Sequence, residues 1–203
     1  MTPLRAALFA AVTFFALPAF AESPPTAVAR ATIERVAPDG GSLVVRTRAG
    51  EEETVRISDK TTVMLVVPAA LADVKPGAFI GVAALPGEGG ELKAMEVHVF
   101  PEALRGTGEG FRPFDLAPGS TMTNGAVAAR VDGVEGSKLT VSYKGGQQTI
   151  VVDPEAPVVA LAPGARADLK PGAAIIARGS KASDGAIDAA RVLVGKDGLV
   201  PPF

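Results

Sequence analysis

The hexapeptide Asp73-Val74-Lys75-Pro76-Gly77-Ala78 recurs as Asp168-Leu169-Lys170-Pro171-Gly172-Ala173, 95 residues further on. The same offset aligns Ala31–Val99 with Ala126–Val194 without a gap, and 21 of those 69 positions are identical. A self-match of that length means a duplicated structural unit, so the chain is read as one small fold used twice.

Around the duplication the chain divides readily. Residues 1–21 carry one charge, Arg5, then the apolar run Ala6–Phe15 and the A-x-A-like site Ala19-Phe20-Ala21. This is the pattern of a secretory signal peptide cleaved after Ala21, and it predicts a periplasmic location. The apolar run falls short of the ~20 residues a spanning helix needs, so no membrane span is expected in the mature chain. An N-terminal arm (22–30) leads into module 1 (31–99). An insert (100–125) separates it from module 2 (126–195), and a tail (196–203) follows. There is no cysteine, so packing must supply the stability, and modules of ~70 residues sit near the lower limit for a lone core. The 20 basic and 22 acidic residues are interspersed. That balance argues against a nucleic-acid partner, which needs a basic track.

Each module shows the same strand signals. Module 1 reads as strands at Ala31–Val36, Ser42–Arg48, Glu53–Ile57, Thr62–Val67, Ala78–Leu85 and Glu91–Val99. Module 2 repeats them at Ala126–Val131, Lys138–Tyr143, Gln148–Val152, Val158–Leu161, Ala173–Gly179 and Ala186–Val194. The runs are short, β-branched and bounded by Gly, Pro, Asp or Asn. Leu43, Val45 and Thr47 alternate with Val44, Arg46 and Arg48, the period of a half-buried strand. Pro76-Gly77 and Pro171-Gly172 fit the two central positions of a type II turn. Three meandering strands, a brief crossover and further strands predict an all-β protein of two tandem small OB-like β-barrels, joined by an ordered 26-residue insert. SH3-like barrels are the alternative.

The D-[VL]-K-P-G-A turn, followed by a strand and then G-x-[LI]-x-A-x-x-V-x-V, resembles a family of exported bacterial domains of unknown function, number 5666. The resemblance covers both modules and implies an OB-like fold with no established activity. The insert, FPEALRGTGEGFRPFDLAPGSTMTNG, resembles a segment of exported proteins labelled metal ABC transporter permeases, in which R-G-x-G-E-G-H-x-P-[WF]-D-L-x-P-x-S-x-M-T-N occurs. Here Arg105-Gly106, Gly108-Glu109-Gly110, Pro113-Phe114-Asp115-Leu116, Pro118, Ser120 and Met122-Thr123-Asn124 match. Phe111 stands where those proteins often carry His, so a metal ligand at that position would be lost. A permease needs several apolar spans, and residues 22–203 hold none by hydropathy.

Function is sought where the repeat explains nothing. Loops as long as the insert are functional or disordered, and its Phe100, Phe111 and Phe114 argue for order. Arg105, Glu109, Phe111, Arg112, Phe114, Asp115 and Asn124 are its candidate binding residues: glycines that expose backbone N–H groups, with nearby guanidinium groups, suit an anion or a polar partner. The same residues can instead pair internally and fill the seam between modules. Glu96 and His98 lie two apart on one strand face and are the candidate metal ligands. Glu109 or Asp115 would be the third donor. His98 is the only histidine, and no constellation suggests catalysis. The sequence therefore predicts a non-enzymatic periplasmic binding or scaffolding protein without cofactor, its partner an envelope protein or small ligand. The alternative is a metal-binding periplasmic protein associated with metal transport or homeostasis.

Overall fold

The computed structural model describes residues 26–133 and 136–203. The expected signal peptide and residues 22–25 of the N-terminal arm lie outside the described residues. The first repeat supplies β1 (Thr26–Val36), β2 (Ser42–Thr47), β3 (Glu52–Arg56), β4 (Thr62–Pro68), β5 (Phe79–Pro86) and β6 (Leu92–Val99). The insert adds β7 (Gly110–Pro113). The second repeat supplies β8 (Thr121–Gly133), β9 (Gly136–Tyr143), β10 (Gly146–Val152), β11 (Val158–Pro163), β12 (Ala174–Lys181) and β13 (Ile187–Gly195). Helical structure among the described residues is limited to three-residue 3-10 turns. None is long or apolar enough to cross a membrane.

Among the described residues, all thirteen strands belong to one sheet, in the order β10-β9-β8-β5-β6-β11-β4-β13-β12-β1-β2-β3, with β7 on β8. This corrects the expectation of two tandem OB-like β-barrels, one per repeat. The repeats exchange strands. β1, β2 and β3 of the first repeat join β12 and β13 of the second, and β8, β9 and β10 of the second join β5 and β6 of the first. Each end of the sheet curls back on itself through a seam of two residue pairs. These are Val55↔Ile187 with Arg56↔Asp188, and Ile150↔Leu92 with Val151↔Lys93. Between the two curls, β4 and β11 pair antiparallel across the middle.

The exchange explains where the apolar side chains go. Alternation puts Ile33, Leu43, Val45 and Val55 on the inner face of one curl, packed with Ile175, Ile187, Val192 and Val194 of the other repeat. Ile80, Val82 and Val97 pack with Val127, Leu139, Val141, Ile150 and Val152 in the other curl. Both cores draw side chains from both repeats. A third cluster lies between the curls, built from Met64, Val66, Phe79, Phe100, Val159, Leu161, Ile176, Leu193 and Phe203.

The repeated hexapeptide fastens the exchange. Its Pro-Gly pairs form the expected turns, with Ala78 N–H bonded to Lys75 O and Ala173 N–H to Lys170 O, both at 3.0 Å. Gly77 and Gly172 each take φ 86°, a conformation that strongly favours glycine. That conformation aims the Gly77 N–H at Val127 O (2.8 Å) and the Gly172 N–H at Ile33 O (2.7 Å). Each turn thus grips the first strand of the opposite repeat. Just before it, Val74 and Leu169 are buried in the two curl cores, each anchor worth roughly 2 kcal/mol.

The strand boundaries agree with the sequence to within a few residues, with two differences. β1 starts at Thr26 and β8 at Thr121, so the end of the insert, from Thr121 on, is the leading part of a long strand. The gap-free alignment also slips by one residue twice. Ile33 pairs with Val45, whereas Val127 pairs with Val141, so β8 follows β1 at an offset of 94 and β9 follows β2 at 96. A one-residue slip would turn a strand inside out. The slips keep Val127 and Leu139 facing the core, and a bulge interrupts each hairpin.

Candidate functional site

The third cluster is where the two repeats stop being alike. On β6, Glu96 and His98 point to the seam, and both are buried. His98 Nδ1 lies 3.1 Å from Glu96 Oε1 and 3.2 Å from Oε2. Glu96 Oε1 also accepts the Ala83 N–H at 3.1 Å. The His98 ring stacks on Phe203 with centroids 4.6 Å apart and meets the edge of Phe100 at 4.9 Å. It lies over Gly81, directly across the ladder on β5. A methyl group on Gly81 would stand 2.2 Å from His98 Nε2 and 2.7 Å from Asn124 Oδ1. Gly81 is therefore glycine because a histidine and an asparagine occupy its side-chain space.

The insert roofs this region. β7 pairs with the start of β8, matching Gly110 with Asn124 and Arg112 with Met122. The turn between them is tied by Ser120, whose hydroxyl bonds Phe114 O and Ala117 O. Asn124 is buried and donates from Nδ2 to Thr107 O at 3.1 Å. Its Oδ1, like Thr123 Oγ1, finds no partner among the described residues. Beneath the roof is a cavity of about 170 Å³ whose lining includes His98, Arg112, Phe114, Asn124, Arg178 and Arg191.

The candidate residues of the insert part company here. Arg112, Phe114 and Asn124 line the cavity, and Arg112 donates to Gly108 O at 2.7 Å. Asp115 stands beside it, held by Arg30 through a two-pronged ion pair at 2.8 and 2.9 Å. That guanidinium holds the Asp115 carboxyl below the usual carboxylate range. Arg105, Glu109 and Phe111 do not join the cavity lining. Arg105 forks onto Glu102, donates to Gly77 O and lies 5.8 Å over the Phe79 ring. Glu109 accepts the Lys144 N–H, and Phe111 is exposed. The candidate metal ligands Glu96 and His98 do meet. The suggested third donor does not reach them, since Glu109 and Asp115 are engaged elsewhere. No group of three or more His, Cys, Asp or Glu residues converges among the described residues.

Sequence reasoning missed Arg30, Arg178, Arg191 and Phe203. Arg178 of β12 and Arg191 of β13 face each other directly in the ladder. Among the described residues neither has a carboxylate within ion-pair range. Burial lowers the Arg178 pKa, and the nearby Arg30, Arg112 and Arg191 charges lower it further against the opposing pull of Asp115. Its guanidinium also sits 5.4 Å over the Phe114 ring. One signal was available: Arg178 and Arg191 stand at strand positions where the first repeat has Ala83 and Glu96, so the two copies differ in charge there.

Comparison with family models, curated proteins and solved structures found no match.

Proposed function

We propose that the chain is an exported, non-enzymatic binding protein of the bacterial envelope, with its binding site in the roofed cavity between the two curls. One observation carries this reading. Side chains from the insert and from both repeats converge on a single cavity, and the buried Asn124 Oδ1 beside it has no hydrogen-bond partner among the described residues. A buried acceptor left unpaired is unfavourable by about 1–3 kcal/mol, which a ligand or ordered water that donates to it recovers. The cavity also lies where ligand sites commonly form, at the junction of two structural units.

The side chains favour binding over catalysis. His98 is occupied on its Nδ1 side by Glu96, and Gly81 and Asn124 crowd its Nε2 side. No hydroxyl is bonded to it among the described residues. The metal-binding reading rests on the Glu96–His98 contact, but a stable zinc site uses three or four protein donors, and here the two side chains serve each other. The resemblance to exported domains of unknown function accords with an envelope location.

His98, as the only histidine, gives a single-residue report on this cavity. Its ring resonances in nitrogen-15-labelled mature protein should shift on titration with a small-molecule extract of the envelope. The shift should disappear in an Arg112→Ala/Phe114→Ala variant of unchanged melting temperature. Unshifted His98 signals at saturating extract would sink the proposal.

A further inference from the structure

We infer that the ligand of this cavity is a small organic acid, its carboxylate held by Arg178 and Arg191 and its apolar body laid against Phe114 and Phe203. The inference rests on the proposed binding site and goes beyond it by naming the chemical class.

The charge arrangement carries the first half. Cations placed opposite one another in a ladder repel, and Arg178 and Arg191 are so placed. Arg112 and Arg30 add two more positive groups nearby. Against them stands Asp115, and both its oxygens are taken by Arg30. The oxygens of Glu96 are taken by His98 and by the Ala83 amide. The facing arginines therefore lack their counter-charge among the described residues. Both guanidinium groups line the one cavity, each can donate to a carboxylate in fork geometry, and charge-assisted bonds of that kind are about twice as strong as neutral ones.

The apolar lining carries the second half. Phe100, Phe114, Met122, Leu161, Leu193 and Phe203 contribute to the same cavity. Its size, about 170 Å³, is close to that of an engineered cavity of ~150 Å³ that holds benzene. A bare inorganic anion would fill the charged end and leave the apolar end empty. A ring-sized acid fills both.

The probes are benzoate, benzyl alcohol, which has the same body without the charge, and inorganic phosphate, which has charge without the body. Each is titrated into the mature protein by calorimetry while the His98 ring resonances are followed. Benzoate should shift His98 and bind at least about ten-fold more tightly than either of the others. Arg178→Gln and Arg191→Gln should each weaken benzoate about ten-fold and leave benzyl alcohol unchanged. Arg166→Gln, a surface change at the Asp59 ion pair, should alter nothing. Equal affinity for benzoate and benzyl alcohol overturns the inference while the binding-site reading stands. Phosphate binding as tight as benzoate overturns the organic-acid class. A benzoate affinity indifferent to both arginine variants, or no response to any probe, also overturns it; the envelope-extract titration then judges the binding site independently.

Discussion

The two sides of the central seam share one backbone and carry opposite chemistry. On one side Gly81, Ala83, Glu96, His98 and Asn124 form a carboxylate–imidazole corner around a missing side chain. At the structurally equivalent places on the other side stand Ile176, Arg178, Arg191, Leu193 and Arg30. Space given up at Gly81 is taken by His98; space filled by Ile176 is matched by the smaller reach of Leu193. Where the copies meet, the same backbone positions carry opposite charge.

The comparison presumes that both sides depend on exchanged strands, and the most severe test separates the repeats. A chain cut in the turn between β7 and β8 should give two pieces that each lack cooperative melting. Mixed, they should recover it as a one-to-one complex in size-exclusion chromatography. A compact, cooperatively melting monomer from either piece would show that a repeat can close on itself.

The next test exchanges the chemistry. Gly81→Ile forces a side chain into space held by His98 and Asn124, and should destabilise by about 3 kcal/mol in denaturant unfolding, the upper end for overpacking. Adding His98→Leu copies the other side and should return part of that loss despite leaving Glu96 without its imidazole; simple additivity would mean the two positions are uncoupled. Ile176→Val on the other side should cost only about 1 kcal/mol.

Smaller effects come from the exposed ion pairs. The Asp115 carboxyl is depressed by Arg30, so its contribution is fully present above the ordinary aspartate pKa of about 3.9 and lost as pH falls through its lower folded value. Asp115→Asn should therefore lower the melting temperature at pH 7 by an amount equivalent to under about 1 kcal/mol. The gap between variant and parent should close toward pH 2. A gap that widens in acid would reverse the assigned sign. Arg105→Ala, at another exposed pair, should have the smallest effect on melting temperature and leave His98 resonances in place.

Strand content was legible because alternation and turn chemistry are local. Leu43 and Val45, or the Pro76-Gly77 turn, declare themselves within a few residues. The pairing of strands was not legible. An exchanged and an unexchanged duplication place the same residues inward, so Val55 looks equally suited to Ile187 of the other repeat or to a partner in its own. The one-residue slips at Val127 and Leu139 were hidden because they compensate one another around the hairpin. At the site, Glu96 and His98 could be read from their spacing on one strand. Arg178 and Arg191 could not, because their meaning depends on which carboxylates are absent around them. Gly81 offered a signal that went unread: glycine inside an apolar strand marks a close approach, and its repeat mate is isoleucine.

The interleaving also sets an order of events in the life of the chain. Thr26 pairs with Ser180 and Ala31 with Ile175, so the strand that leaves the ribosome early can pair at once with β2 but waits for nearly the whole polypeptide before it finds its second neighbour. Distant pairings of this kind slow folding and leave strand edges open to other chains meanwhile. A nascent first half has therefore no finished structure to adopt and stays threadable until its second half arrives.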